Sequence, residues 1–143
     1  MKALILFLVV LIGFTSCGDK AVSVDLLTEN GKEISVELAA KEVVTLYAEM
    51  EIEYKIKPLF IYHCSFYKEG IFIVEGGVDP LITKKNEQES LTVKDGITHW
   101  KFRGQLDGHL TATTDGVYSI KTTFIKNKQA DLKIIKANIV FIK

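Results

Sequence analysis

The histidine, cysteine and acidic side chains are the residues that could do chemistry in this chain, and their spacing argues against a shared site. The three histidines are His63, His99 and His109, whereas a metal site needs three or four converging ligands. Neighbouring side chains point to opposite faces of a strand, so His63 and Cys64 cannot easily bind one metal ion. A cluster of His99, His109 and Asp107 across a hairpin is the alternative. The chain has no Gly-x-Ser-x-Gly turn and no phosphate-binding glycine loop, and we predict no metal, no cofactor and no enzymatic activity.

Cys17 is the remaining candidate, and it follows an apolar run at the N terminus. Met1 and Lys2 give a short basic start, and residues 3–14 are all apolar or glycine. This run has about a dozen residues, whereas a membrane-spanning helix needs roughly 20. A basic start, a short apolar core and small residues before a cleavage point are typical of a secretory signal. The first sixteen residues are therefore interpreted as a processing segment.

Phe14-Thr15-Ser16-Cys17 resembles the lipobox of bacterial lipoproteins. The last three positions match that motif, and Phe14 stands where the family usually has leucine. The resemblance implies that residues 1–16 are removed and that Cys17, the first residue of the mature chain, is acylated with fatty acids such as palmitate. Because two or more acyl chains anchor a protein stably, it also implies a lipid-anchored protein of the cell envelope, on the outer membrane if the cell has one. An ordinary secreted protein and an uncleaved anchor are the alternatives.

The composition of the remaining chain is that of one domain without a basic surface. Residues 17–143 number 127, enough for a single domain with its own core. Removal of the signal takes away Lys2 alone among the 18 basic residues and none of the 18 acidic ones, which leaves a net charge of −1. Nucleic-acid binding needs clustered positive charge, so we predict no nucleic-acid partner. With Cys17 acylated, Cys64 is the only thiol, and we expect it to be a buried apolar residue.

Alternation of apolar and polar residues dominates the chain after Cys17. From Val44 to Ile56 every even position is apolar, which predicts a long, half-buried strand. A helix over residues 38–50 is the competing interpretation, but its β-branched residues favour the strand. The odd positions predict a solvated face with basic partners on neighbouring strands, Lys121 or Lys133 and Lys136. These odd positions are Glu49, Glu51, Glu53, Lys55 and Lys57.

Turn residues divide the rest of the chain into further strands. We predict hairpin turns at Asn30-Gly31, Lys68–Gly70 and Asp95-Gly96. Gly76-Gly77 is interpreted as a turn, and the polar segment 81–90 as a mobile loop. A change of phase at Ile134-Ile135 indicates a β-bulge. Regular turns without sustained helical character predict an antiparallel all-β sandwich or barrel of about eight to ten strands.

Asp115-Gly116-x-Tyr118 resembles the entry to strand F of immunoglobulin-like domains, where a tyrosine hydroxyl binds the preceding loop. The resemblance implies an immunoglobulin-like or fibronectin-III-like β-sandwich over residues 17–143. The cysteine pair of antibody domains is absent, since Ile120 stands at the second position. A lipocalin-like barrel that carries a small apolar ligand is the alternative, although the Gly-x-Trp opening of such barrels is missing.

The predicted function is binding or assembly by a sandwich domain that recognises a protein or glycan partner. Loops on a rigid scaffold carry recognition, which favours the segments 75–90 and 103–109. Trp100 and Arg103 are the candidate contact residues. A core position is the competing interpretation for Trp100, because Thr98, Trp100 and Phe102 alternate on one face.

Overall fold

Nine antiparallel strands in two sheets make up residues 21–143, the part of the chain that the computed structural model describes. The predicted signal segment 1–16 and Cys17 lie outside the described residues. The strands are β1 (Ala21–Asp25), β2 (Glu33–Leu38), β3 (Val43–Tyr54), β4 (Phe60–Lys68), β5 (Ile71–Val78), β6 (Thr83–Lys94), β7 (Ile97–Thr111), β8 (Gly116–Lys126) and β9 (Lys133–Ile142). Residues 21–143 include no helix of the length and apolar character that a membrane span requires.

The two sheets pack as a sandwich and remain separate. One has five strands in the order β1-β9-β3-β7-β6, and the other has four in the order β2-β8-β4-β5. The predicted immunoglobulin-like β-sandwich is confirmed. The alternative of a lipocalin-like barrel is wrong for residues 21–143, because the two sheets do not close into one.

The core lies between the sheets and is filled by the predicted alternation. In β3 every second residue from Val44 to Tyr54 is buried, and the residues between them are only partly covered. Met50 and Ile52 from β3 meet Tyr62 from β4 and Ile120 from β8 in one apolar cluster. Full burial of a large apolar side chain contributes about 1.5–3 kcal/mol, so this interlayer cluster is the main source of stability. The prediction of a strand instead of a helix over residues 43–50 is confirmed.

A β-bulge interrupts the pairing of β9 with β3 at the predicted place. Glu51 pairs with Lys136, but the next residue, Ile52, pairs with Ile134. Ile135 is therefore an extra residue. Because of it, the apolar side chains before and after it, Ile134 and Ala137, both point into the core.

Two hairpins turn where glycine follows an acidic residue. Glu69 and Gly70 join β4 to β5 with φ angles of 49° and 77°, and Asp95 and Gly96 join β6 to β7 with φ angles of 52° and 74°. Two consecutive positive φ angles match a type I′ turn, which fits the twist of the flanking strands. Both predicted hairpins are confirmed.

Asn30-Gly31 does not form the predicted hairpin. β1 pairs with β9 and β2 pairs with β8, so the segment between them crosses from one sheet to the other. Asn30 Oδ1 accepts a hydrogen bond from the amide of Phe124 at 2.7 Å, which fixes the crossing against β8. The turn signal was correct, but the strand pairing expected from it was wrong.

Three segments expected to be loops or turns are strands. Most of the polar segment 81–90 belongs to β6, the predicted turn at 103–109 lies inside β7, and Gly76-Gly77 lies inside β5. β6 pairs with β7 despite two register shifts, and its side chains are polar because nearly all of the strand is exposed. Polar composition indicated exposure at an edge of the sheet, not the loss of strand pairing.

Candidate binding surface at the β5 and β6 edges

Trp100 lies on the inner face of β7 and is 8% exposed. Its indole Nε1 donates a hydrogen bond to Glu89 Oε1 at 2.9 Å, and its ring centroid lies 4.4 Å from that of Phe102. Trp100 thus packs in the core and holds the middle of β6 against β7. Its predicted contact role remains a prediction.

Arg103 lies on the opposite face of β7, in a row of paired charges. Its Nη1 lies 3.2 Å from Glu49 Oε1, and its guanidinium carbon lies 5.3 Å from the centre of the Tyr47 ring. Glu49 Oε2 also lies 3.1 Å from Lys136 Nζ, so the predicted pairing of the acidic row with Lys136 is confirmed. Trp100 and Arg103 do not share a surface, because they point to opposite sides of the sheet.

Within the described residues 21–143, the longest run of exposed apolar residues lies on β5. Ile71, Phe72, Ile73 and Val74 are 71, 53, 44 and 47% exposed. These four residues are consecutive, so both faces of the strand are open to solvent there. β5 is the last strand of the four-stranded sheet, and β4 is its only sheet neighbour among residues 21–143.

A second exposed apolar pair lies on the inner face of β6. Leu91 is opposite Trp100 and Val93 is opposite Thr98 in the antiparallel register. Directly opposite residues share a face, so Leu91 and Val93 point to the same side as the buried Trp100. They are nevertheless 53 and 64% exposed. This patch is separate from residues 71–74, because Val74 faces Asp107–His109 whereas Leu91 pairs with Trp100, about 25 Å further along β7. We refer to the two patches, residues 71–74 of β5 and Leu91 with Val93 of β6, as the β5–β6 rim.

A cleft of about 190 Å³ lies beside the rim, between β5 and β7. Val74, Gly76 and Val78 line one side, and Asp107–His109 line the other. Cys64 lies at the floor, 3% exposed, with its Sγ 3.5 Å from Thr122 Oγ1. Burial raises the pKa of the Cys64 thiol, so the nucleophilic thiolate is disfavoured. The expectation that Cys64 is a buried apolar residue is confirmed.

The histidines lie in separate pairs with carboxylates. His63 Nε2 lies 3.7 Å from Glu75 Oε2, and His99 Nε2 lies 3.3 Å from Glu51 Oε2. No group of three histidine, cysteine or acidic side chains within residues 21–143 is close enough to hold a metal ion. The cluster of His99, His109 and Asp107 therefore does not form.

The rim was not found from the sequence. Residues 71–74 form an uninterrupted apolar run, which is typical of a strand buried on both faces. A weak signal was present, since two glycines follow this run at 76 and 77 and leave that part of the strand without side chains. The position of β5 at an edge depends on sheet order, which alternation does not encode.

The comparisons with known proteins identify no family for this chain. No protein-family model and no curated protein sequence matches this chain. Among solved structures, the chain is similar to the crystal structure of the infectious bursal disease virus VP2 subviral particle, with 10% identity and a TM-score of 0.30. The match covers 87% of this chain and 32% of that one, so the chain spans about a third of its length.

Proposed function

We propose that this protein is a lipid-anchored, non-enzymatic binding module of the bacterial cell envelope that recognises a protein partner through residues 71–74 of the β5–β6 rim. The observation that carries the proposal is the exposure of Ile71–Val74, four large apolar side chains in a row at the edge of a sheet. Contiguous exposed apolar surface on a soluble domain is typical of a site of interaction.

The position of the rim suits an anchored domain. Three residues separate Cys17 from Ala21, so the Cα atom of a lipidated Cys17 would lie at most about 14 Å from that of Ala21 at the start of β1. β1 and β6 are the two opposite edges of the five-stranded sheet. Four strand spacings of about 4.8 Å separate these edges by about 19 Å. The rim is therefore on the side of the domain away from the tether.

The anchor is tested with the full-length chain and its Cys17→Ser variant. Cleavage before Cys17 and acylation predict a mature mass that matches residues 17–143 plus the lipid, and membrane fractionation that the Cys17→Ser variant loses. An unmodified thiol, or unchanged membrane fractionation of the variant, would contradict the anchor. This experiment is independent of the partner.

Binding at the rim is tested by site-specific photo-crosslinking in the native cell. A photoreactive amino acid in place of Phe72 is expected to capture a discrete protein partner. The control position is Ile125, an apolar residue of β8 that is 49% exposed and pairs with Ile61, at the end of β4 away from Phe72. Equal capture at Phe72 and Ile125, or no capture at Phe72, would contradict the proposed binding surface.

A groove at the other side of the sandwich supports a second candidate, binding of a small apolar ligand. It has a volume of about 500 Å³ and opens between β1 and β2. Val22, Ile34 and Phe141 contribute apolar surface, and an ion pair joins Glu42 Oε2 to Lys143 Nζ at 3.1 Å. Saturable binding of a fluorescent fatty acid, abolished by Ile34→Asp and retained by Val74→Asp, would favour this function over the rim.

A further inference from the structure

We propose that one end of the sandwich, formed by residues 55–59 and 126–129, is a second contact with the membrane, in which Ile56 and Leu59 insert among the headgroups of anionic lipids. We refer to these two segments as the lysine tip. The orientation derived below for the anchored domain rests on the proposed anchor at Cys17, whereas the binding of the tip to lipid does not.

Two large apolar side chains project from the lysine tip. Ile56 and Leu59 are each 72% exposed, the highest value for a large apolar side chain among residues 21–143. The Leu59 amide donates a hydrogen bond to Asn127 Oδ1 at 3.2 Å, and the Ile56 carbonyl oxygen accepts one from Gln129 Nε2. The backbone at both residues is therefore fixed, so their exposure is a defined feature of the fold.

Two more apolar side chains extend this surface along the outer face of the four-stranded sheet. Ile61 on β4 and Ile125 on β8 are directly opposite each other and are 45 and 49% exposed. Ile61 lies two residues after Leu59, and Ile125 directly precedes the second tip segment. Four exposed aliphatic side chains thus lie at one end of the domain, which is typical of a site of protein or membrane interaction.

Positive charge accompanies these apolar side chains. Residues 55–59 and 126–131 carry four lysines and one acidic residue, a net charge of +3, whereas the chain from Cys17 onward has a net charge of −1. The lysines are Lys55, Lys57, Lys126 and Lys128. The acidic residue is Asp131, whose Oδ2 lies 3.6 Å from Lys55 Nζ. The two segments are about 70 residues apart in the chain, so the composition gave no sign of a basic surface.

Other carboxylates toward this end have basic partners of their own. Glu29 Oε2 lies 2.9 Å from Lys32 Nζ, and Glu53 is directly opposite Lys133 in the pairing of β3 with β9. The excess of positive charge at the lysine tip is therefore not cancelled by these neighbours.

An anionic lipid surface is the partner that fits this combination. At a membrane interface, apolar side chains are buried at the boundary between headgroups and acyl chains, and lysine ammonium groups stay near the phosphates. Each lysine near an anionic membrane surface strengthens binding by about fivefold. Nucleic acid offers the same charge as such a membrane, but it has no apolar layer that would bury Ile56 and Leu59.

The lysine tip and the tether lie at opposite ends of the strands. Ala21 on β1 and Thr45 on β3 both pair with Ile142 of β9, so the start of β1 is level with Thr45. β3 continues for nine residues to Tyr54, about 30 Å, before the tip begins.

Both contacts reach one membrane when the domain lies on its β1 edge. Leu27 follows β1 and lines a cleft with residues 126–129, so the tip adjoins this edge. A tether of about 14 Å and a separation of about 30 Å keep the strands within about 30° of the membrane plane. Residues 71–74, on the β5 edge at the other side of the sandwich, then face away from the lipid. The tip thus orients the domain and leaves the proposed partner surface free.

Lipid binding is tested without the acyl chain. The protein is the mature chain, residues 17–143 with Cys17→Ser, because residues 21–143 supply both sheets and the core. Saturable co-flotation is expected with vesicles of three parts phosphatidylcholine and one part phosphatidylglycerol. Binding to phosphatidylcholine alone should be at least tenfold weaker, and 0.5 M sodium chloride should weaken binding to the anionic vesicles. No binding to the anionic vesicles, or equal binding to both kinds, would overturn the proposal.

Substitutions at the tip locate the contact. Ile56→Asn removes an inserted side chain and is expected to weaken binding to the anionic vesicles at least threefold. Lys57→Gln combined with Lys128→Gln removes one charge from each segment and is expected to weaken it at least tenfold. All three side chains are exposed, so the fold is retained, and the near-ultraviolet circular dichroism of Trp100 checks this.

The control variants change the same kinds of side chain away from the tip. They are Ile82→Asn, at a residue that is 65% exposed, and the pair Lys84→Gln and Lys85→Gln, at two exposed residues. Thr83, between them, pairs with Leu106, about 20 Å along β7 from Trp100, whose ring centre lies 5.8 Å from Lys57 Nζ. Both controls are expected to bind as the parent protein does. An equal loss of binding in tip and control variants would contradict a localised contact.

A fluorescent label measures insertion directly. In the Cys17→Ser chain carrying Ile56→Cys, nitrobenzoxadiazole is expected to react at position 56, because Cys64 is 3% exposed. Its emission should shift to shorter wavelength on the anionic vesicles and be quenched by brominated lipids. The same label on Ile82→Cys should show neither change. No shift at position 56, or equal shifts at both positions, would overturn insertion.

The outcomes separate this inference from the proposed function. An unmodified Cys17 thiol together with vesicle binding would contradict the anchor and support the tip as a membrane contact. An acylated protein whose label at position 56 stays in water on anionic vesicles would support the anchor and overturn the tip. A discrete protein product captured at Ile125 would show that a protein covers this end, and would also overturn the tip.

Discussion

The Tyr118 hydroxyl donates a hydrogen bond to the carbonyl oxygen of Thr114 at 2.8 Å, and Tyr118 is 1% exposed. The amide of Thr114 lies 3.5 Å from the same hydroxyl. Asp115 Oδ1 accepts a hydrogen bond from the amide of Ala40 at 2.7 Å, which joins this turn to the segment before β3. The entry to β8 is thus fixed by side chains on both sides of Gly116, as the Asp-Gly-x-Tyr resemblance implied.

Removal of this hydroxyl is expected to destabilise the domain without changing its fold. Tyr118→Phe should lower the free energy of unfolding by about 1 kcal/mol, because it leaves a turn carbonyl without its partner. Thr114→Ala keeps the backbone acceptor and is expected to lower the free energy of unfolding by less than Tyr118→Phe does. Urea denaturation of the two variants measures the difference, and an equal loss in both would contradict a role for the hydroxyl.

The Cys64 thiol is expected to be inert in the folded protein. Cys64 is 3% exposed and burial raises its pKa, whereas disulfide exchange requires an accessible thiolate. In a Cys17→Ser background, Cys64 is the only cysteine. Its reaction with 5,5′-dithiobis(2-nitrobenzoate) at pH 8 should be at least about 100-fold slower in the native protein than in urea. Similar rates in both conditions would show that the thiol is accessible.

The same burial makes stability depend on pH above the ordinary pKa of a cysteine. The unfolded thiol ionises at about pH 8.5, whereas the folded one keeps its proton to higher pH. The folded state therefore binds more protons in that range, and stability falls as the pH rises. Between pH 8 and 9.5 the Cys17→Ser protein should lose more stability than a Cys17→Ser, Cys64→Ala variant in urea denaturation. Parallel pH profiles for the two proteins would contradict the raised pKa.

The ion pairs of Glu49 are expected to contribute little to the free energy of unfolding. That contribution is expected to be electrostatic. Glu49 lies between Arg103 and Lys136, but its side chain is 22% exposed and those of its partners are more so. Exposed pairs typically contribute about 0.2–1 kcal/mol and are weakened by salt. A double-mutant cycle with Glu49→Gln and Lys136→Met should give a coupling energy in that range that decreases in 1 M sodium chloride. A salt-independent coupling would contradict an electrostatic origin.

Local sequence rules predicted the parts of the fold that depend on local geometry. The alternation in β3 follows from the opposite directions of neighbouring side chains in a strand, and Glu69-Gly70 adopts the positive φ angles that a tight hairpin requires. The bulge at Ile135 was visible because an extra residue changes the phase of the pattern. Each of these features is set by a few neighbouring residues.

Sheet order was not predictable in the same way, and the candidate site depends on it. Whether Asn30-Gly31 joins paired strands or crosses between sheets depends on contacts with Phe124, which lies far away in sequence. The apolar run at 71–74 looks the same in a central strand as in an edge strand. Its function as an exposed surface follows only from the absence of a strand beyond β5 among residues 21–143.

The pairing of β6 with β7 is expected to depend on the missing side chain of Gly104. A Cβ atom at Gly104 would lie 2.6 Å from Thr83 Cγ2 and 2.7 Å from Thr83 Cβ, both on β6. The Cβ atom of Thr83 is bonded directly to the β6 backbone and cannot move aside freely. Gly104→Ala should therefore displace β6 and lower the free energy of unfolding by about 1–3 kcal/mol. Gly76→Ala is the matched control, since no atom lies within 4 Å of its added Cβ, and it should change stability by less than about 0.5 kcal/mol. Thermal unfolding gives both values, and amide exchange in β6 should accelerate in Gly104→Ala alone. Equal stability of the two variants would show that β6 can shift outward freely, and the inner face of the β5–β6 rim would then not be a fixed surface.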